Sequence, residues 1–161
     1  LKRINAQNWL EITKHYRRGF ALEIQFRRFA GDYFLKVLGA QKKFYAECEC
    51  YRQGRRTGIA DNAIKIGGKW CFVEVKLNIH AEPHLHNQLQ KYCRVEKSVL
   101  DKERTIEQEG LWQNSMLVID TTDFYFYNAL TDDLTHLKNL DEIRTEREIK
   151  ALQEKIILML Q

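Results

Sequence analysis

The sequence is poor in the residues that interrupt regular structure and in the patterns that mark membranes, metals or disulfide frameworks. A single proline, Pro83, and eight glycines in 161 residues leave long stretches free to be helix or strand. No apolar run approaches the roughly 20 residues that span a bilayer, so no membrane association is expected. The longest, Ile156 to Leu160, is a quarter of that length. The first residues are polar and basic, without the apolar core of a secretory signal. The four cysteines, Cys48, Cys50, Cys71 and Cys93, form no CxxC pair and no zinc-ligand spacing. They read as reduced, mostly buried thiols, and the expected location is cytoplasmic or nucleoid-associated. Repeats and low-complexity linkers are absent too, so one domain over residues 1–161 is expected. The chain begins at Leu1 and not methionine, which raises the expectation of a fragment with a further domain beyond it.

What is there is balanced. Hydrophobic residues make up 44% and charged residues 30%, the proportions of a globular chain with one core. The net charge of +4 is too mild to identify a nucleic-acid binder. Its distribution is more informative, since arginines gather at Arg17, Arg18, Arg27 and Arg28, and again at Arg52, Arg55 and Arg56.

Apolar residues recur at helical spacing from about Ala6 to Leu38, with a break predicted at Gly31-Asp32 and a stop at Gly39. Strands are predicted over 43–51, 58–66 and 69–77. A turn at 53–57 separates the first two, and a hairpin at Gly67-Gly68 joins the last two. Pro83 opens a helix running to about Leu100, short strands follow at 116–119 and 124–127, and a charged helix closes the chain over 141–161. The expected fold is a mixed α/β domain, α+β with a mixed sheet.

Three polar residues interrupt runs that otherwise look buried. Glu74 and Lys76 share one face of their strand, and the hairpin at Gly67-Gly68 folds Asp61 back beside Glu74. Two carboxylates and an amine then converge, a donor set suited to a hard divalent cation that keeps waters and completes its shell with phosphate oxygens. The alternative is a salt bridge, Glu74 with Lys76 or Asp61 with a nearby arginine.

Gly58-Ile-Ala-Asp61 followed by Glu74-Val-Lys76 resembles the signature of the PD-(D/E)XK nuclease superfamily, with Ala60 standing where the family often has proline. Gly19-Phe-Ala-Leu-Glu23 resembles the G-x-x-x-E of Holliday-junction resolvases and related nucleases. Gln88-Leu-Gln-Lys-Tyr92 resembles the Q-x-x-x-Y of recombination nucleases. Residues 116–127 bear a weaker likeness to restriction enzymes. The resemblance covers about residues 16–127 and implies a restriction-endonuclease-like αβββαβ core carrying a long N-terminal helix and a C-terminal helix.

The implied activity is Mg²⁺-dependent hydrolysis of DNA phosphodiesters, with Mn²⁺ as a substitute, by an endonuclease of restriction, recombination, repair or mobile elements that often works as a homodimer. Asp61 and Glu74 are the implied metal ligands and Lys76 assists the attacking water. Glu23 is an accessory ligand, with Glu11 as its substitute, while Gln88 and Tyr92 support the site. Glu23 paired with Arg27 at i+4, and Tyr92 as ordinary core, are the alternatives. Arg52, Arg55, Arg56 and Arg18 are expected on the nucleic-acid backbone. His80, His84 and His86 fit no ordinary zinc spacing and are more readily phosphate contacts. The rival from another class is a nucleic-acid-binding module that has lost cleavage.

Overall fold

The computed structural model describes residues 17–161, so the predicted helix before Tyr16, and Glu11 with it, lie outside the described residues. Helix α1 (Glu23–Ala30) carries Glu23 in its first turn and Arg27 and Arg28 in its last, each sign at the end of the helix dipole that favours it. It buries Phe26, Phe29 and Ala30. The predicted break at Gly31-Asp32 is instead a π-helical turn (Gly31–Leu35) that runs directly into α2 (Lys36–Leu38). Gly31 is needed there for space, because a Cβ would lie 1.9 Å from the Phe44 ring.

Nine strands among the described residues form two sheets. They are β1 (Cys48–Arg52), β2 (Arg55–Ala60), β3 (Asn62–Ile66), β4 (Lys69–Val75), β5 (Lys97–Leu100), β6 (Arg104–Glu107), β7 (Ser115–Ile119), β8 (Asp123–Asn128) and β9 (Asp133–Asn139). One sheet has the order β2-β1-β5-β6 and the other β3-β4-β7-β8-β9. All pairings are antiparallel except β4 with β7, which is parallel and needs a crossover. That crossover contains α3 (Leu85–Gln90) and the β5–β6 hairpin; α4 (Glu146–Leu160) closes the described chain. The fold is thus mixed α and β, as expected. No described helix is long and apolar enough to cross a membrane.

Three corrections to the sequence reading matter for the site. The strand expected over 58–66 is two strands in different sheets, with the chain changing sheets at Asp61. The segment expected as a turn at 53–57 lies largely within β2, and the hairpin tip is Gln53-Gly54, both with positive φ. The helix expected to reach Leu100 stops at Gln90, and Lys97–Leu100 is β5, paired with β1. Lys97 to Leu100 satisfies a helical apolar spacing locally, but an open edge of β1 recruits it.

The second sheet is packed on both faces, and β4 shows how. Cys71, Val73 and Val75 point into a core shared with Phe26, Phe34 and Ile156 from the helices. Trp70 and Phe72 point the other way, into the core between the two sheets with Cys48, Ala60, Leu89 and Tyr127. Glu74 is next in that second alternation, so the strand period carries a carboxylate into the seam between the sheets.

Candidate active site

Asp61 occupies the corner between β2 and β3, opposite the C-terminal end of β4. Its Oδ2 accepts the Val75 N–H at 2.9 Å, and its Oδ1 accepts from Arg27 Nη1 at 2.9 Å. Because Ala60 pairs with Cys48 in the other sheet, the carboxylate takes the place of a ladder partner for Val75. Glu74 is 1% exposed, and neither of its oxygens has a hydrogen-bond partner. Lys76 Nζ lies 3.8 Å from Glu74 Oε2 and 3.5 Å from Glu23 Oε1. Lys76 itself is just past the end of β4, held by its N–H to the Ile119 carbonyl at 3.0 Å.

The electrostatics follow from burial. Loss of solvent pushes the Glu74 carboxyl well above its ordinary range, and the neighbouring Asp61 carboxylate pushes it further. Two ionised carboxylates cannot hydrogen-bond to one another, so a proton or a cation between them relieves both. For Lys76, burial works against the charge, but Glu74, Glu23, Glu82 and Asp61 outweigh it and hold the ammonium above its ordinary pKa.

Both salt bridges of the alternative reading are therefore present, Asp61 with Arg27 and Glu74 with Lys76. They do not satisfy the site equally. Arg27 makes a true hydrogen bond, whereas Lys76 at 3.8 Å leaves Glu74 without one. The Arg27–Glu23 pairing suggested by the i+4 spacing does not form. The two side chains reach from one helix to separate strand residues, Arg27 to Asp61 and Glu23 to Lys76. Arg27 is the residue the sequence reading left out of the site. Its place four residues after Glu23 was the available signal.

Gln88 and Tyr92 meet at the site although the helix ends between them. Both line one surface pocket, and Gln88 acts against the rise in the tyrosine pKa. Burial, with Glu74 as the next contribution, raises the tyrosine pKa. The ring lies across β2 at Gly58, where a Cβ would stand 2.9 Å from Tyr92 Cε1. Tyr92 is thus core and site wall at once. Beside it Gly58, Glu82, His84, Gln88 and Lys91 help line a surface pocket of about 370 Å³.

Other expected residues lie elsewhere. Arg52 and Arg55 face each other at the tip of the β1–β2 hairpin, and Arg56 Nη1 is 3.3 Å from Glu49. Arg18 Nη2 is 3.6 Å from Asp141, beside buried Arg17, which also pairs with Asp141. That contact ties Arg17 and Arg18 to the turn before α4. His80, His84 and His86 do not converge; His86 Nδ1 is 3.0 Å from Asp132. All four cysteines are free and buried.

Among the described residues, no group of three or more His, Cys, Asp and Glu is placed to hold a metal ion. Glu23 contacts Lys76 instead of joining Asp61 and Glu74. Mg²⁺ binds through one or two carboxylates and keeps waters, so Asp61 and Glu74, the latter with no hydrogen-bond partner on either oxygen, are the residues that could hold it. No protein-family profile, curated protein or solved structure matches the chain.

Proposed function

We propose that this chain is a divalent-cation-dependent phosphodiesterase acting on DNA, an endonuclease with the αβββαβ core of the PD-(D/E)XK superfamily. The observation that carries the reading is Glu74: a carboxylate sealed between two sheets, beside a second carboxylate, with no hydrogen bond on either oxygen. Leaving such a group bare costs about 1–3 kcal/mol or more, and a fold tolerates that where the group has a use. The parallel β4–β7 pair, its crossover through α3, and the approach of Asp61 to the end of β4 support the reading.

Asp61 and Glu74 hold the cation, which when bound supplies positive charge against the phosphate. Lys76, kept protonated by the carboxylates around it, orients the attacking water and balances charge growing on the phosphate oxygens. Glu23 fixes the position of Lys76. Arg27 neutralises Asp61 before substrate arrives, and Tyr92 with Gln88 walls the pocket through which the strand approaches.

A catalytically silent binding module of the same fold is the second reading, favoured by the Arg27–Asp61 and Lys76–Glu23 contacts that close the site without a metal. Cleavage of plasmid and branched DNA with Mg²⁺ or Mn²⁺, beside EDTA and Glu74→Gln, decides between them. Metal-dependent cutting that the substitution abolishes is the expected result. Folded protein that binds DNA with unchanged affinity in both forms and cuts nothing would establish the binding module.

A further inference from the structure

A second feature lies at the far end of the β3–β4 hairpin from Glu74. Between the loop after α2, the end of β3 and the start of β6 is a pocket of about 360 Å³, in the size range of small-ligand sites. Its lining includes Lys42, Lys43, Lys65 and Arg104, and no acidic residue. Lys43 is paired with Glu103 outside it, while Lys42 and Lys65 have no acidic partner among the described residues. The back wall is aromatic. Tyr45 and Trp70 meet edge to face at 5.6 Å between centroids, Arg104 stacks over Trp70 at 5.3 Å, and Lys43 lies 5.3 Å from the Tyr45 ring.

The loop that forms one side is fixed. The Gln41 side chain donates to the Ala63 carbonyl at 3.1 Å, and the Asn62 side chain donates to the Tyr45 carbonyl at 3.0 Å, so the loop is stitched along the edge of β3. The cations are therefore carried on a held frame. Lys65 is four residues from Asp61, about 13 Å along the strand, close to the rise of four nucleotides in one strand of a duplex.

We infer that this pocket binds a nucleotide phosphate of a nucleic-acid strand, as a subsite separate from the hydrolytic carboxylates. Surplus cations supply the phosphate contact, and the ring edges with the stacked guanidinium supply a surface for the adjoining sugar and base. The inference rests on the reading of the chain as a nucleic-acid protein, but not on its cutting anything.

The test is fluorescence anisotropy of a labelled single-stranded oligonucleotide in EDTA, titrated at several salt concentrations, with a mononucleotide and inorganic phosphate as competitors. Lys42→Glu/Lys65→Glu is expected to weaken strand binding at least tenfold. It should also lower the slope of log K against log salt by about 1.4, two phosphates at about 0.7 each. The charge-matched Arg147→Glu/Lys150→Glu on α4 should leave binding within twofold, and the mononucleotide should compete at least a hundredfold less well. Unchanged affinity and slope in the lysine variant overturns the subsite, as does an equal loss in the α4 variant. A mononucleotide that competes as well as the strand overturns the strand as occupant. All four lysine and arginine positions are exposed, so thermal melting of each variant should match the parent. A chain that binds in this way and never cleaves leaves the subsite standing and sinks the nuclease, so the two failures are distinguishable.

Discussion

Two carboxylates in this fold are equally buried and differently treated. Asp120, just past β7, is 1% exposed and receives hydrogen bonds from the Ile79, Thr122 and Asp123 amides and from the Thr122 hydroxyl, at 2.8 to 3.0 Å. Glu74, on the adjacent strand, is also 1% exposed and receives none. The same chain thus surrounds one buried acid with donors and withholds them from the other. Asp120 is a structural clamp that ties the turn after β7 to the segment after β4. Glu74 has no donor within hydrogen-bond reach, so the two acids differ in how the fold treats them and not in burial.

The contrast can be broken most forcefully by activity. Glu74→Ala should lower DNA cleavage at least about a thousandfold, or about 4 kcal/mol of transition-state stabilisation, while Asp120→Asn leaves the rate of the protein that remains folded within a few-fold. Initial rates at saturating Mg²⁺, normalised to folded protein, measure both.

Stability should respond in the reverse order. Asp120→Ala strands three amide donors and is expected to cost about 3 kcal/mol in urea unfolding. Glu74→Gln should instead stabilise the cation-free protein by about 1–3 kcal/mol at pH 8, because it removes an acid that folding deprives of solvent.

The pH dependence sharpens this further. The folded Glu74 pKa is raised above the ordinary 4.5. Its contribution is therefore fully present below pH about 4.5, where the unfolded chain also holds the proton. It is lost as the pH rises towards the folded value, by up to about 1.4 kcal/mol per unit. The gap in unfolding free energy between Glu74→Gln and the parent should accordingly widen from pH 5 to pH 8. Added Mg²⁺ should narrow it by stabilising the parent alone. A gap that stays flat with pH would mean that Glu74 is ionised and solvated. The smallest effect is expected at Lys65→Ala, an exposed side chain at the other end of the same hairpin, with under about 0.5 kcal/mol of change.

Much of the site was legible in the sequence because its residues are local in strands. The period of β4 puts Glu74 and Lys76 on one face, and Gly67-Gly68 returns β4 onto β3, both short-range properties. The split of residues 58–66 between two sheets was not legible. Nothing in Gly58 to Ile66 distinguishes one long strand from two, and the choice is made by what each half pairs with, β1 for one and β4 for the other. The same reason hid β5, β6 and β9, whose strand character depends on partners far along the chain. Arg27 was hidden for a different cause: an i+4 neighbour of opposite charge is ordinarily its companion, and here a stronger acceptor lies across the helix-to-sheet boundary.

The bond from the Val75 N–H to Asp61 Oδ2 has a consequence of its own. A backbone proton of β4 answers directly to the side chain at the corner between β2 and β3. Its amide is thereby a resident probe, whose nitrogen and proton chemical shifts register each competitor for that oxygen. The corner can be followed by heteronuclear resonance as a divalent cation or an oligonucleotide is added, before any turnover is measured.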